Sequence, residues 1–305
     1  SHFFHVLAGL QGIQVPLDKL TEHDLRIKGY IERLNRSRTP PVQLKYFQYL
    51  AVLFTEIYLD RLFGDREAFL AELNDFTARV EDLSFREDDL SKVAFWMATG
   101  SGKTLIMHIN LWQILRHVRS DNGAGKAWFD NVLLVTPNEG LSRLHLEEFH
   151  HNEIMGGEIG LGSHGNAVVR VIEITKLTTN KRGRGLSVEV DSFGSNNLLF
   201  VDEGHRGASG EVWRVLRKKL AENGFACEYS ATFGQIVNGA GEDKRPGLLE
   251  EYSKAILFDY SYPHFYQDGY GKDYWIVNLH DNTDTFNDWL LLSNLLSFYE
   301  QCLVY

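Results

Sequence analysis

The sequence predicts an α/β domain: a mostly parallel sheet covered by helices, with a helical region before it. Three observations lead there. Strand-like runs at Val93–Trp96, Asn131–Thr136, Asn197–Asp202 and Ala226–Ala231 alternate with helix-patterned stretches at the spacing of strand–helix–strand units. A glycine-containing loop, Met97–Thr104, joins the first of these runs to a helix. The residues that carry chemistry fall at the carboxyl ends of the runs, at Gly100–Thr104, Thr136, Asp202 and Ser230, where open parallel sheets hold their ligands.

With 305 residues and 44% hydrophobic content, the chain has material for one large or two modest domains and a sizeable core. A formal charge of −10 argues against a general polyanion binder, although net charge does not describe any one face. Two widely separated cysteines, Cys227 and Cys302, argue against a zinc ribbon or a disulfide framework and favour a reducing, cytoplasmic setting. No apolar run is long enough to cross a membrane, so no membrane partner is expected. The start, Ser1-His2-Phe3-Phe4-His5, lacks an initiator Met and a basic region and reads as a trimmed end, not a signal peptide.

In chain order, Leu17, Leu20, Leu25 and Ile31 recur at roughly helical spacing, and Thr39-Pro40-Pro41 ends that piece. An apolar, aromatic helix is expected from Val42 to about Phe63, and an amphipathic one from Asp65 to about Leu83. The acidic run Arg86-Glu87-Asp88-Asp89 leads into the first strand. A helix opens at Leu105–Trp112, and a polar turn at 120–126 separates it from the strand Asn131–Thr136, which Pro137-Asn138 stops. A helix follows from Gly140 to about His151, then a glycine-rich loop at 152–166, a strand at Val168–Ile174 and a basic glycine turn at 181–185. After Asn197–Asp202 come a helix at Glu211–Ala221 and the strand Ala226–Ala231. Residues 237–246 read as a polar loop, 254–259 and Tyr274–Leu279 as strands, 269–271 as a turn and Thr285–Leu303 as a helix. The aromatic cluster Tyr260–Tyr266 is expected to pack the end of this domain or the approach to a following one.

Met97-Ala98-Thr99-Gly100-Ser101-Gly102-Lys103-Thr104 has the order of a phosphate-binding loop: strand, glycine loop, lysine, hydroxyl, helix. Gly100 and Gly102 permit the tight, partly φ-positive path that brings backbone N–H groups to an anion, and the next helix aims its own N–H groups at the same place. In that reading Lys103 reaches the β and γ phosphates and the Thr104 hydroxyl binds Mg²⁺. The full pattern wants Gly where Met97 stands, so the loop alone also fits a strand-to-helix turn with a solvated lysine. A matching acid decides between them. Asp202-Glu203-Gly204-His205 ends a strand, and hydrolysis of a phosphoanhydride needs one anion for the metal and another group to orient water. Asp202 suits the first task and Glu203 the second, with His205 linking the site to a neighbouring segment; a helix-capping acidic turn is the plainer alternative.

MATGSGKT, LLVTPNEGL, FVDEGHR and YSATFGQ, in that order over roughly residues 93–234, resemble the first RecA-like domain of superfamily 2 helicases and translocases, whose phosphate loop dispenses with the first glycine. Met-Ala-Thr-Gly and Asp-Glu-Gly-His-Arg are most similar to the motor (Res) subunits of type III restriction enzymes. The resemblance implies a RecA-like P-loop NTPase domain at 93–305, with residues 1–92 a helical N-terminal extension and insertion packed on it. It implies ATP and Mg²⁺ as cofactors, bound through Thr99, Gly100, Ser101, Gly102, Lys103 and Thr104. Thr104 and Asp202 would serve the metal, and Lys103, Asp202, Glu203 and His205 the catalysis. Ser230, Ala231 and Thr232 look like the segment that couples hydrolysis to strand movement, with ordinary turn bonding as the alternative. Thr136 and Pro137 match the segment that touches the nucleic-acid backbone without reading sequence, with a simple strand terminator as the alternative. Lys45-Tyr46-Phe47-Gln48 resembles the element whose glutamine reads adenine, and Gln48 equally suits a satisfied polar group in an aromatic core. Lys181, Arg182 and Arg184 either add charge to the groove or form a solvated turn, the latter being the plainer reading.

The implied function is ATP hydrolysis driving DNA translocation or unwinding in type III restriction or a related phage-defence system. The implied partners are duplex DNA, the second RecA-like domain and further domains of the same longer chain, and a modification or specificity subunit. No arginine-finger run follows residue 234 and no Pro-Asp…Glu-x-Lys nuclease centre is found, so this stretch alone is expected to bind ATP and hydrolyse it weakly. A nucleotide-dependent DNA-binding scaffold or sensor that does not translocate is the rival reading.

Overall fold

In the computed structural model, which describes residues 1–11, 14–80, 83–120, 129–158, 169–178, 188–203, 210–271 and 284–304, the strand-like runs become a sheet. In chain order the strands are β1 (Lys92–Met97), β2 (Asn131–Thr136), β3 (Gly156–Glu158), β4 (Val169–Glu173), β5 (Leu177–Thr178), β6 (Val188–Glu189), β7 (Asn197–Asp202), β8 (Phe225–Ser230) and β9 (Ile256–Tyr260). Seven of them lie in the order β3–β4–β2–β7–β8–β1–β9, and every pairing in that sheet is parallel. β5 and β6 form a separate parallel pair. Parallel neighbours need long crossovers, and helices supply them.

Four helices precede β1: α1 (His2–Ala8), α2 (Leu17–Leu34), α3 (Tyr46–Gly64) and α4 (Arg66–Val80). Between the strands lie α5 (Lys103–Ser120), α6 (Glu139–His151) and α7 (Gly210–Leu220). The last four are α8 (Phe233–Gly239), α9 (Arg245–Ala255), α10 (Tyr262–Gln267) and α11 (Asp284–Val304). None of the described helices is long and apolar enough to cross a membrane.

Both faces of the sheet are covered, because successive residues of each strand point to opposite sides. Leu134, Leu198, Phe200, Cys227 and Tyr229 face one apolar cluster with α3 and α5, which also takes in Ile27 and Leu34 of α2. Leu133, Val135, Leu199, Val201 and Ala226 face a second cluster with Leu216 and Leu220 of α7. β7 and β8 are buried at every position. The helices of residues 1–80 therefore share a continuous core with the sheet through α3 and α5.

Two charged clusters lie inside this core. Glu56 of α3 is fully buried and receives Arg26 at 3.3 Å, Tyr30 at 3.0 Å, Gln113 at 3.0 Å and Arg116 at 3.3 Å, tying α2 and α5 to α3. His23, Glu56 and Asp60 have the spacing of a cation cluster, but Arg26 and Arg116 already balance the two carboxylates. Glu228 of β8 is held by Arg217 at 2.7 Å, Lys92 at 2.9 Å and the Tyr252 hydroxyl at 3.2 Å.

Two expectations need correction. Residues 156–158, read as loop, form β3 on the sheet edge. This strand has no apolar alternation to announce it, and Gly156 is there because a Cβ would sit 2.6 Å from the Phe149 ring. The loop expected at 237–246 is shorter, since α8 runs to Gly239 and α9 begins at Arg245. Pro246 lies in the first turn of α9 rather than breaking structure, because that turn needs no N–H there. The aromatic cluster after β9 forms α10 and packs the end of this domain: Tyr260 stacks on Phe47 at 3.9 Å, and the Tyr46 and Tyr260 hydroxyls both reach Asp268. The strand expected at Tyr274–Leu279 lies outside the described residues. In α11, Trp289, Leu291, Leu295 and Phe298 are exposed.

Candidate nucleotide site

β1 delivers the glycine loop to the carboxyl edge of the sheet. The Ala98 N–H donates to Tyr260 O of β9 at 2.9 Å, and the chain then turns through Thr99–Gly102 into α5. Gly100 and Gly102 have φ of 82° and 94°, so the sequence expectation of a left-handed path holds at both. Ser101 is buried and its hydroxyl donates to Ala98 O at 2.7 Å, closing the turn from inside. Thr99 and Gly100 are exposed, and Lys103 and Thr104 open the first turn of α5 half-buried. The N–H groups of a first helical turn have no partner within their own helix and present partial positive charge.

Gln48 supports this loop. Its Oε1 accepts from Lys45 N at 2.9 Å, and its Nε2 donates to Ser101 O at 2.8 Å. A Cβ on Gly102 would meet Gln48 Nε2 at 2.5 Å, so Gly102 is required by space as well as by φ. The satisfied-polar-group reading of Gln48 describes these contacts, with the partner being the glycine loop itself.

β7 brings its acids to the same edge. Glu203 takes φ +48°, an uncommon conformation for a residue with a side chain, and its N–H donates to Tyr229 O at 2.9 Å. That turn sends the carboxylate back over the loop, where Glu203 Oε1 lies 2.9 Å from Lys103 Nζ. The Ser230 hydroxyl donates to Glu203 Oε2 at 3.4 Å and accepts from the Thr232 N–H at 3.1 Å. Lys103, Glu203, Ser230 and Thr232, far apart in sequence, are thus neighbours at the ends of β1, β7 and β8.

Asp202 is buried, with Oδ2 2.9 Å from Nε2 of His145 on α6. Thr136 is also buried, and its hydroxyl is bonded to that of Ser142 at 2.6 Å, leaving Pro137 and Asn138 as the more exposed residues at the end of β2. His205, Lys181, Arg182 and Arg184 lie outside the described residues. Cys227 is fully enclosed and burial pushes its thiol up, so it offers no thiolate to this edge.

With this geometry in place, the comparison with known proteins is direct. The model of a protein family, the res subunit of type III restriction enzymes, matches residues 66–235. The chain belongs to that family. The Res match spans the phosphate loop, Asp202, Glu203 and Ser230–Thr232, and begins after Gln48. It agrees with the helicase-type motor domain expected from the motifs. Among solved structures, the chain is similar to the UvsW helicase from bacteriophage T4, at 13% identity over 60% of this chain and 61% of that one, with a TM-score of 0.35. It is also similar to the SWI2/SNF2 ATPase core of Sulfolobus solfataricus, solved in complex with dsDNA, at 10% identity over 72% of this chain and 45% of that one, with a TM-score of 0.39. The chain spans less than two thirds of the length of either. No curated protein matches it.

His145 is the site neighbour that motif reading passes over. Its signal is periodicity: Ser142, His145 and Phe149 form the buried stripe of α6, which places a histidine against the sheet rather than in solvent.

Proposed function

We propose that this chain is the ATP-binding and ATP-hydrolysing motor domain of a cytoplasmic DNA helicase or translocase serving type III restriction or a related phage-defence system. The observation that carries the reading is the Lys103–Glu203 ion pair of 2.9 Å, formed directly over a φ-positive glycine loop at a helix N-terminus. A solvated lysine on a structural turn has no need of a strand-end acid held in a left-handed conformation above it.

In the proposed cycle the N–H groups of Gly100–Thr104 take the triphosphate oxygens, and Lys103 exchanges Glu203 for the β and γ phosphates. Glu203, released, accepts a proton from water as its oxygen attacks the γ phosphorus and the bond to the β–γ bridging oxygen breaks, leaving ADP and phosphate. Thr104 and Asp202 present oxygen donors of the kind Mg²⁺ prefers, and the bound ion would offset the charge of the phosphates. Ser230, whose hydroxyl donates to Glu203 and accepts from the Thr232 N–H, is suited together with Thr232 to relay the state of the nucleotide to β8. The end of β2 at Thr136 and Pro137 is the assigned contact to the DNA backbone, with duplex DNA as the track.

Residues 1–92 are taken as a helical extension and 93–305 as the first RecA-like domain. The transition-state arginine then comes from a second RecA-like domain of the longer chain, with a modification or specificity subunit as a further partner. ATP hydrolysis by the full-length protein, with and without duplex DNA and beside Lys103→Ala, tests the proposal. Stimulation by DNA that vanishes in Lys103→Ala is expected. A rate indifferent to DNA contradicts the translocase reading and leaves the sensor.

A further inference from the structure

Asp202 has a partner that none of the sequence motifs contains. His145 Nε2 lies 2.9 Å from Asp202 Oδ2, with the two residues 2% and 6% exposed. A carboxylate only accepts, so His145 carries its proton on Nε2 and donates it to this bond. Nδ1 of the same ring is buried without a hydrogen-bond partner among the described residues.

Facing it is His108 of α5, the helix that the phosphate loop opens, with ring centroids 6.4 Å apart. His108 Nδ1 accepts from Asn152 Nδ2 at 2.6 Å, which leaves the proton on Nε2, an atom also buried without a partner among the described residues. Burial, with the His145 ring and the Arg38 guanidinium nearby, holds His108 down to about 3, so it stays neutral. Asn152 Oδ1 in turn accepts from Arg38 at 3.2 Å, and Arg38 pairs with Glu148 of α6 at 2.5 Å. The other end of α6 is fixed by the Thr136–Ser142 hydroxyl bond and by Asn138, whose side chain caps the helix at Leu141 N.

We propose that His145 is a positioning residue for the nucleotide site: it fixes the Asp202 carboxylate by donating to Oδ2, and so ties that carboxylate to the seating of α6 between the end of β2 and Arg38. The inference rests on the reading of Asp202 as the metal-side acid. It makes α6 the physical connection between the assigned nucleic-acid contact and the nucleotide, since one helix is capped by Asn138 and carries the donor to Asp202. A hydrogen bond to a metal-side carboxylate is worth roughly 10- to 100-fold in metal affinity, which sets the size of the effect to look for.

The experiment is calorimetric titration of the whole chain with ADP, in Mg²⁺ and in EDTA, for the wild type, His145→Ala, His145→Leu and His145→Gln. Loss of the donor in His145→Ala and His145→Leu is expected to weaken ADP binding about 10-fold in Mg²⁺ and to change it less than about 2-fold in EDTA. Gln, whose amide nitrogen reaches the position of Nε2, is expected to restore most of the Mg²⁺ effect. Leu keeps the bulk of the side chain, so the comparison stands even where Ala unfolds the helix. A wild type that binds ADP with Mg²⁺ dependence, beside His145→Leu with the same dependence, overturns the inference alone. Equal losses in Mg²⁺ and in EDTA for all three variants, Gln included, also overturn it and assign His145 to packing. A wild type that binds no ADP overturns the nucleotide reading, and the inference with it.

Discussion

Gly100 and Gly102 separate two demands that a phosphate loop places on glycine, and this chain allows each to be measured. Both have φ in the left-handed region, at 82° and 94°, so Ala at either costs about 1–2 kcal/mol of backbone strain. An added Cβ meets nothing within 4 Å at Gly100, whereas at Gly102 it falls 2.5 Å from Gln48 Nε2. Gly102→Ala therefore also displaces Gln48 from Ser101 O, a bond of 2.8 Å worth about 1 kcal/mol, for a total of about 2–3 kcal/mol. In a Gln48→Ala background the side chain that clashes is gone, and Gly102→Ala returns to about the cost of Gly100→Ala, a coupling of about 1 kcal/mol. Equilibrium urea unfolding of the wild type, the three single variants and the double mutant gives every term. Equal costs for the two glycines, with no coupling to Gln48, refute the claim that Gln48 braces the loop.

Further predictions follow from the site and from the buried charges. Glu203→Gln keeps ATP binding and lowers single-turnover hydrolysis by about 10²–10⁴-fold, the usual size of a proton-accepting role; an unchanged rate removes Glu203 from the chemistry. Arg217→Ala leaves Glu228 buried against Lys92 alone among its cationic partners and lowers the free energy of unfolding by about 3 kcal/mol, whereas a loss under about 1 kcal/mol contradicts the pairing. Burial raises the Glu251 carboxyl, but Lys92 and Arg217 more than offset this and hold it below the ordinary glutamate range. A depressed folded-state value gives stability that is present above the ordinary range and lost as pH falls through the lowered one, so urea midpoints drop in acid, and Glu251→Gln flattens that drop.

Much of this architecture is legible in the sequence for a physical reason. β7 and the second half of β2 are buried on both faces, so they read as continuous apolar runs, Leu198–Val201 and Leu133–Val135, and their ends are marked by Asp202 and Pro137. The turn from β1 into α5 is legible because its φ-positive backbone favours glycine at 100 and 102. The contacts that complete the site are less so. Gln48 reaches a backbone carbonyl at Ser101, and His145 reaches Asp202, through folding alone; neither partner has a side-chain pattern that names the other. β3 consists of Gly-Gly-Glu and owes its strand to the register with β4. Glu228 sits in the middle of a strand, and only the fold brings Arg217, Lys92 and Tyr252 around it.

The most direct test of the account is calorimetric titration of Mg²⁺·ATP into the Glu203→Gln chain, where turnover no longer consumes the ligand, beside the same chain carrying Lys103→Ala. The account predicts one bound nucleotide per chain and an affinity that falls at least tenfold, about 1.4 kcal/mol, when Lys103 is removed. Absence of binding, or binding that ignores Lys103→Ala, contradicts the assignment of Gly100–Thr104 as the nucleotide site.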